Sequence, residues 1–321
     1  MKRLITTLFA VVAVLGLATG HAQDKKTRIS IGTGGTGGVY YPLGGGLAAL
    51  LSKYVNGVEA TAEVTAGSIA NLQLIGGGKS EVGFTMADAA WDAYQGLDKF
   101  TGKKVALRTM VVFYPNRMHV VSIEGKGINK FTDLKGKRVS TGAPASGTEI
   151  TAMRLIEAYG MDPNKDMTRE RLSVAESVNA LKDGKIDALF WVGGVPTPSI
   201  TDLAATPGVK IKMIDHGDGA ENMRKKIGPI YMKNKILAKA YPGQDADSTN
   251  IDVWNLLVVP ENADEKLVYE ITKTMFEKKE ELVKVHKDAS FLELANQTTN
   301  ASPIPFHPGA LRYFKEKGLK F

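Results

Sequence analysis

The residues best suited to chemistry form a glycine-dense stretch near the N-terminus. Residues 30–51 read SIGTGGTGGVYYPLGGGLAALL, which is a short extended run, a glycine turn and an apolar helical pattern. Glycine leaves backbone N–H groups open to a ligand because it has no Cβ, and a following helix adds about half a positive charge at its N-terminus. The pattern predicts an anion-binding turn with the free amides of Thr36, Gly37, Gly38 and Val39 at its mouth. A tight strand-to-helix turn without a ligand is the alternative.

The helix after this turn can be placed from one proline. Pro42 suits the first turn of a helix, where its missing N–H costs nothing, so we predict a helix from about Tyr40 to about Tyr54. Gly32, Gly34 and Gly37 also match the dinucleotide-binding fingerprint literally. That fingerprint needs an acidic residue closing the second strand, whereas this strand runs into Thr65-Ala66-Gly67. A dinucleotide-dependent enzyme therefore stays an alternative that the motif alone does not support.

Few other residues offer chemistry. The chain has no cysteine, its five histidines show no metal-ligand spacing, and Ser146 does not sit in a GxSxG elbow. Asp88 and Asp92, four apart on a predicted helix, lack a partner base, and we interpret them as solvated. The basic residues are scattered and lack the interleaved aromatic residues that bind single-stranded nucleic acid. The sequence thus predicts no catalytic site, no metal, no cofactor and no nucleic-acid partner.

The N-terminus indicates export. Lys2 and Arg3 precede an uncharged apolar run and then small residues up to Ala22. This predicts a secretory signal peptide over residues 1–22, cleaved near Ala22, and hence a periplasmic protein; a retained membrane anchor is the alternative. Removal of the signal would lower the formal net charge from +7 to +5. With 43% hydrophobic residues, the remaining chain can build a core without disulfides.

Two similar halves follow from the order of the elements. Residues 30–86 alternate strand and helix as βαβαβ, with Ser68 as the predicted N-cap of the second helix. The segment that starts at Ser68 and ends at Phe84 matches the one from Ser177 to Phe190, at offsets of 109 and 106 residues. We therefore predict an α/β fold with two βαβ halves, each presenting a helix N-terminus at the end of its first strand. Chance similarity between two such units is the alternative.

Two long extended segments, 110–122 and 252–259, lie between the halves and near the end of the chain. Strands that join two α/β lobes would form a hinge, with the glycine turns facing each other across a cleft. We expect one lobe from residues 23–115 plus 261–321 and the other from residues 116–260. The sequence of the tail predicts a helix or helix pair over 261–286 and a last helix over 310–317. We expect these helices to return to the first lobe.

One aromatic residue is predicted to lie in the cleft because of its position in the repeat. Trp191, with Gly193 and Gly194 just after it, stands at the end of the strand that contains Phe190. It could cover the carbon chain of a ligand, or it could be a core tryptophan. We expect helix N-termini and the hydroxyls of Thr36, Ser146 and Thr148 to hold a carboxylate. The glycine turns contain no arginine, and such a site would not need one.

Four motifs together resemble the TAXI family, the extracytoplasmic solute-binding receptors of TRAP transporters. They are IGTGGTGGVYYPLG at 31–44, TAGSIANL at 65–72, DLKGKRVSTGAPASGTE at 133–149 and PFHPGALRYFKEKG at 305–318. The resemblance spans nearly all of the predicted mature chain. It implies a two-lobed type II periplasmic binding-protein fold with a hinge and an interlobe cleft, which closes on a small organic acid.

The resemblance also implies ligand-binding residues. They are Thr36, Gly37, Gly38 and Tyr40 in the first turn, Ser68 and Asn71 at the second helix, and Ser146, Gly147 and Thr148 in the facing lobe. Trp191 and Gly194 are placed by the repeat as much as by the family, and Ala87 by its position after the third strand. Ala145 departs from the family, where glycine is frequent at this position, and it is expected to narrow or reshape the turn.

These expectations combine into one reading of function. The chain resembles a monomeric receptor that captures a carboxylated metabolite, glutamate-like or a C4–C5 dicarboxylate, and delivers it to a TRAP-type fused membrane permease. It would have no catalytic activity. A sensor that passes the ligand signal to a membrane signalling protein is the alternative on the same fold.

Overall fold

The first half of the chain alternates strands and helices as predicted. The computed structural model describes residues 26–321, so the predicted signal peptide lies outside the described residues. The elements are β1 (Thr27–Gly32), α1 (Tyr40–Tyr54), β2 (Val58–Glu63), α2 (Ser68–Gly76), β3 (Val82–Met86) and α3 (Ala87–Gln95). Strand β1 pairs in parallel with β2 on one side and with β3 on the other. Helix α1 has the predicted bounds.

The second half repeats this arrangement after a long strand. The elements are β4 (Leu107–Ile123), β5 (Arg138–Ser140), α4 (Gly147–Ala158), β6 (Thr168–Glu170), α5 (Val174–Lys182) and β7 (Ala188–Gly193). Strand β5 lies between β6 and β7, in parallel with both, as β1 lies between β2 and β3. The predicted repeat of two βαβ halves is confirmed.

The remaining elements complete the second half and return to the first. They are α6 (Pro198–Ala205), β8 (Ile211–Met213), α7 (Gly219–Ile227), β9 (Tyr231–Ile236), β10 (Ser248–Pro260), α8 (Glu265–Glu277), α9 (Lys279–Val285) and α10 (Pro308–Glu316). Helices α8 and α9 pack against α1, and α10 packs against α8. The tail is thus the predicted helix pair and last helix, docked on the first half.

Strands β4 and β10 connect the halves. The sheet order is β2-β1-β3-β10-β4-β7-β5-β6. Residues Ser248–Val253 of β10 pair with β9, whereas Asn255–Val258 pair with β3, so β10 passes from one half to the other at Trp254. Since the residues after Trp254 pair with the first half, we propose a lobe boundary near residue 254 in place of the expected 260. The expected boundary at residue 115 falls within β4.

The long connecting strands are buried on both faces, which explains why most of their residues are apolar. Three aromatic side chains extend the core from β3 through β4. The ring centroids of Phe84 and Phe113 are 6.1 Å apart, and those of Phe113 and Tyr114 are 5.3 Å apart. Tyr40 at the start of α1 packs on Phe84 at 5.1 Å. The core therefore fixes the start of α1 relative to the connecting strand β4.

A buried cluster of charged side chains joins the two halves. Asp88 and Asp92 of α3 are 0% and 2% exposed, so the interpretation of these carboxylates as solvated is wrong. Arg154 of α4 lies with its Nη2 2.6 Å from Asp92 Oδ2 and its Nη1 3.5 Å from Asp88 Oδ2. Tyr231 of β9 donates its hydroxyl to Asp88 at 2.7 Å. The partners of α3 come from the other half, which the sequence of α3 does not reveal.

We predict that Asp92 makes the protein less stable as pH rises. Burial, the main cause, raises the pKa of its carboxyl from 3.8 to about 6, although Arg154 opposes the shift. The folded state therefore holds a proton that the unfolded state has lost, a stabilisation that is present below pH 3.8 and lost as pH rises through about 6. The loss is on the order of 3 kcal/mol.

Urea unfolding of the wild type and of Asp92→Asn across this pH range measures the effect. The Asn variant should lack most of the decline, whereas Asp98→Asn, at a side chain that is 40% exposed, should keep it. An unchanged decline in Asp92→Asn would contradict the assignment.

Candidate functional site

A cavity of about 70 Å³ lies between the two halves. Its walls are the turns before α1, α2 and α4, the start of α5 and the end of β7. The lining residues are Gly34, Gly35, Gly38, Val39, Tyr40, Thr65, Ala66, Gly67, Ser68, Met86, Gly142, Ala143, Ser146, Gly147, Thr148, Ser173, Val174, Trp191, Val192 and Gly193. Two halves with the same topology thus place corresponding turns on one shared space.

Four helix N-termini reach this cavity. Helices α1 and α2 of the first half begin at Tyr40 and Ser68, and helices α4 and α5 of the second half begin at Gly147 and Val174. Each of these four residues lines the cavity. The first N–H groups of a helix have no partner within the helix, and the helix dipole adds positive potential at this end. The arrangement can therefore hold a negatively charged group with backbone donors from both halves.

Two hydroxyl groups from α4 add donors. Ser146, the N-cap, accepts a hydrogen bond from Glu149 N at 3.1 Å, and Thr148 Oγ1 accepts one from Val192 N at 3.2 Å. Both residues are more than nine-tenths buried, at 6% and 3% exposure. Because the oxygen of each hydroxyl already accepts a backbone N–H, and no acceptor for its proton lies among residues 26–321, each proton is available to a ligand.

The first half supplies a serine that was predicted to cap α2. The structure shows a different role: α2 begins at Ser68 itself after Gly67, whose φ is 111°. Ser68 Oγ instead accepts a hydrogen bond from Met86 N at 3.1 Å. The prediction of an N-cap is wrong because the glycine takes that position with a backbone that other residues rarely adopt. Ser68 still lines the cavity.

Two aromatic rings line the cavity, one from each half. Tyr40 Oη accepts a hydrogen bond from Asn116 Nδ2 at 3.2 Å, and burial raises the pKa of the phenol above its ordinary value. The phenol therefore stays neutral and keeps its proton. Trp191 is part of β7, and its Nε1 donates to Thr197 Oγ1 at 2.9 Å. That bond fixes the indole so that its six-membered ring faces Gly38 of the other half.

Glycines allow the halves to meet around the cavity. A Cβ on Gly147 would collide with Met86 and would lie 2.7 Å from Ser68 Oγ. A Cβ on Gly38 would lie 2.9 Å from Trp191 Cη2. Both contacts cross between the halves, so a side chain at either position would hold the cavity open.

Two backbone hydrogen bonds also cross between the halves at the rim. Ala70 N donates to Ala145 O at 3.2 Å, and Ser199 N donates to Gly37 O at 3.2 Å. Ala145 has a φ of 61°, which is the left-handed conformation that favours glycine. The turn thus keeps a glycine-like backbone although an alanine occupies it, and its carbonyl bonds the facing half.

The structure brings seven of the predicted ligand residues to the cavity. They are Gly38, Tyr40, Ser68, Ser146, Gly147, Thr148 and Trp191. The other five do not line it. Thr36 is exposed at the tip of its turn, Gly37 and Gly194 lie at contacts between the halves, Ala87 is buried at the start of α3, and Asn71 is buried within the first half.

Asn71 has a structural role in the first half. Its Nδ2 donates to Thr33 O at 2.7 Å and to Phe84 O at 2.8 Å, and its Oδ1 accepts from Thr65 Oγ1 at 2.7 Å. These bonds tie α2 to the ends of β1 and β3. Both the amide nitrogen and the amide oxygen of Asn71 are therefore hydrogen-bonded within the first half. The side chain positions the turns and does not line the cavity.

Several lining residues were missed in the sequence. Among them are Thr65, Met86, Gly142, Ala143, Ser173 and Val174. Ser173 could have been found, because Ser173-x-x-Glu176 is the pattern of a capping box, and both of its reciprocal bonds are present. The others carry no signal, since threonines, glycines and apolar residues are common in turns and at the ends of strands and helices.

The cavity wall contains no charged side chain among the residues that the structure describes. Over the same residues, 26–321, no group of three or more His, Asp or Glu side chains is arranged to hold a metal. In that part of the chain no helix has both the length and the apolar character needed to cross a membrane.

Comparison with known proteins gives a family and a fold. The model of the NMT1-like family matches residues 31–318. A solved structure from Bordetella bronchiseptica RB50 is 18% identical, covers 91% of this chain and 89% of its own, and has a TM-score of 0.51. An ancestral arginine-binding protein bound to arginine is 15% identical, with 82% and 98% covered and a TM-score of 0.50. At these identities the likeness concerns the fold, and the predicted α/β, two-lobed type II periplasmic binding-protein fold is confirmed.

We predict that Asn71→Ala destabilises the protein by about 2–4 kcal/mol, because two buried carbonyls lose their donor. Urea unfolding measures the change. Gln73→Ala, on the exposed face of the same helix, is the matched control and should change stability by less than about 0.5 kcal/mol. Unchanged stability combined with weakened ligand binding would instead return Asn71 to the ligand site.

Proposed function

The chain belongs to the NMT1-like family, and on that premise we propose that it is an extracytoplasmic solute-binding protein that closes on a small organic acid. The observation that carries the proposal is the cavity between the halves, which four helix N-termini and two hydroxyls with free protons surround. Backbone donors and hydroxyls bind and orient a solute, but they include no base, nucleophile or metal ligand set. Capture without chemical change is the activity that suits such a wall.

The size of the cavity limits the solute. A volume of about 70 Å³ exceeds several-fold the roughly 10–15 Å³ that a cavity needs to admit one water. This suits a small carboxylic acid and is far too small for a dinucleotide. The dinucleotide-dependent enzyme that the glycine fingerprint suggested is therefore not part of the proposal.

The affinity of such a site can be adequate without a cationic side chain. A hydrogen bond to a charged group contributes about 1.5–3 kcal/mol, whereas micromolar binding requires about 8 kcal/mol. Donors from the four helix starts, Ser146, Thr148 and Tyr40 exceed the number needed. We therefore propose that the ligand contacts Gly38, Tyr40, Ser68, Ser146, Gly147, Thr148 and Trp191, with Gly37 and Gly194 acting at the contact between lobes.

The transport role and the ligand class extend this proposal. The four motifs that resemble the TAXI family support a TRAP-type fused permease as the membrane partner and a glutamate-like acid or C4–C5 dicarboxylate as the cargo. We propose that the protein acts as a monomer in the periplasm. Closure matters for delivery because the permease can then distinguish loaded from empty receptor.

We predict that Thr148→Val weakens binding of the best-bound C4–C5 dicarboxylate about 10- to 100-fold, the equivalent of one hydrogen bond to a charged group. Valine keeps the shape of threonine and removes the hydroxyl. Thr36→Ala is the matched control and should leave affinity unchanged, since Thr36 is exposed outside the cavity. Calorimetric titration after a thermal-shift screen of dicarboxylates gives both numbers. Equal affinity in the wild type and Thr148→Val would remove the Thr148 hydroxyl from the site.

We predict that Gly147→Val prevents closure, since its side chain would overlap Ser68 and Met86 of the other half. Small-angle scattering should show that ligand reduces the radius of gyration of the wild type and leaves this variant unchanged. In proteoliposomes with a TRAP-type permease, the wild type should support uptake and Gly147→Val should not. The control is Gly45→Ala on α1, where an added Cβ meets no atom within 4 Å. A wild type that closes on ligand yet supports no uptake would contradict the proposed partner.

A further inference from the structure

The wall of the cavity offers many hydrogen-bond donors and few acceptors. From this imbalance we propose that the site selects acids whose other polar groups accept hydrogen bonds, such as 2-oxo acids, and rejects the amino acid of the same carbon skeleton. This inference rests on the proposed function, because it concerns the chemical class of solute that the same cavity takes.

Six carbonyl oxygens of the wall already accept hydrogen bonds from the protein itself. Gly35 O accepts from Gly38 N, Val39 O from Leu43 N, Gly67 O from Asn71 N and Ala143 O from Ser146 N, at 3.0–3.2 Å. Gly147 O accepts from Thr151 Oγ1 at 3.1 Å, and Ser173 O accepts from Ser177 N at 2.8 Å. Carbonyls in the first turn of a helix point along the helix and away from its N-terminus. Building a wall from helix starts thus turns N–H groups toward the cavity and C=O groups away from it.

The side chains of the wall do not compensate. No Asp or Glu lines the cavity, and the oxygens of Ser146 and Thr148 each already accept a backbone N–H. Both side chains are more than nine-tenths buried, and no acceptor for the hydroxyl proton of either lies among residues 26–321. Tyr40 Oη also accepts, from Asn116. Each of the three named hydroxyls can therefore donate its proton to a ligand.

An ammonium group is poorly suited to this wall. It carries a full positive charge and three N–H donors, and it needs acceptors when it leaves water. The helix N-termini add positive potential to the same space, which further opposes a cation. A carbonyl or hydroxyl oxygen at the same position of the ligand could instead accept from the free donors. Within the proposed class of C4–C5 acids, the structure thus favours an oxo or hydroxy dicarboxylate over glutamate.

The proposal is tested with ligand pairs that differ at one carbon. The protein is unfolded and refolded to remove bound solute, and calorimetry then compares 2-oxoglutarate with L-glutamate and pyruvate with L-alanine. For the skeleton that binds, we expect the oxo acid to bind at least about a hundredfold more tightly, since a buried ammonium would stay unpaired. Equal or tighter binding of the amino acid would overturn the inference and leave the carboxylate-binding function intact. Binding by neither series would overturn the proposed function, and this inference with it.

A pair of variants tests the physical cause. Ala143 lines the cavity and is half-buried, so Ala143→Asp adds a carboxylate acceptor to the wall and Ala143→Asn adds a side chain of the same shape without charge. We expect the Asp variant to lose most of the hundredfold preference and the Asn variant to keep it. An Asp variant that is folded by circular dichroism and retains the full preference would overturn the stated cause. The ligand pairs on the wild type remain decisive if the Asp variant does not fold.

Discussion

The structure depends on two α/β halves approaching so closely that only glycine fits between them. Gly147 faces Ser68 and Met86, and Gly38 faces Trp191, each across the boundary between halves. These contacts set the distance between opposed helix starts and hence the size of the cavity. If either position carried a side chain, the backbone donors of the two halves would be too far apart to share one small solute. The glycines therefore act on the distance between the lobes as much as on the conformation of the turns.

The charges that hold the two halves together lie apart from the groups that we propose to bind the solute. Arg154 meets Asp88 and Asp92 at a buried contact between α3 and α4, whereas the cavity itself has no charged side chain. A cation inside the cavity would pair with any anion of suitable size and would compete with the directional N–H groups. With the ion pairs kept outside, the proposed recognition would depend on the positions of donors. The proposed closure would depend in part on an ionic contact that opening exposes to water.

Much of this architecture could be predicted from the sequence because local signals and topology agree. Pro42 and the glycines before it located the start of α1, and the match between Ser68–Phe84 and Ser177–Phe190 predicted the two halves. The direction in which each side chain points could not be predicted in the same way. Thr36 lies in the right turn but on its solvent side, and Asn71 lies on the right helix but bonds inward to Thr33 and Phe84. Asp88 and Asp92 were misread because their partner, Arg154, comes from a distant part of the chain.

Ala145 shows how a departure from the expected glycine is accommodated. A left-handed backbone costs an alanine about 1–2 kcal/mol relative to glycine, so the turn before α4 retains this conformation only where other contacts favour it. One such contact is the bond from Ala70 N to Ala145 O, which joins the two halves. If the lobes separate, that bond is lost. The left-handed backbone of Ala145 then either keeps its cost without this compensation or changes to another conformation. The turn that carries Ser146 and Thr148 would therefore be coupled to the proposed closure, since the facing half helps to hold its donors in position.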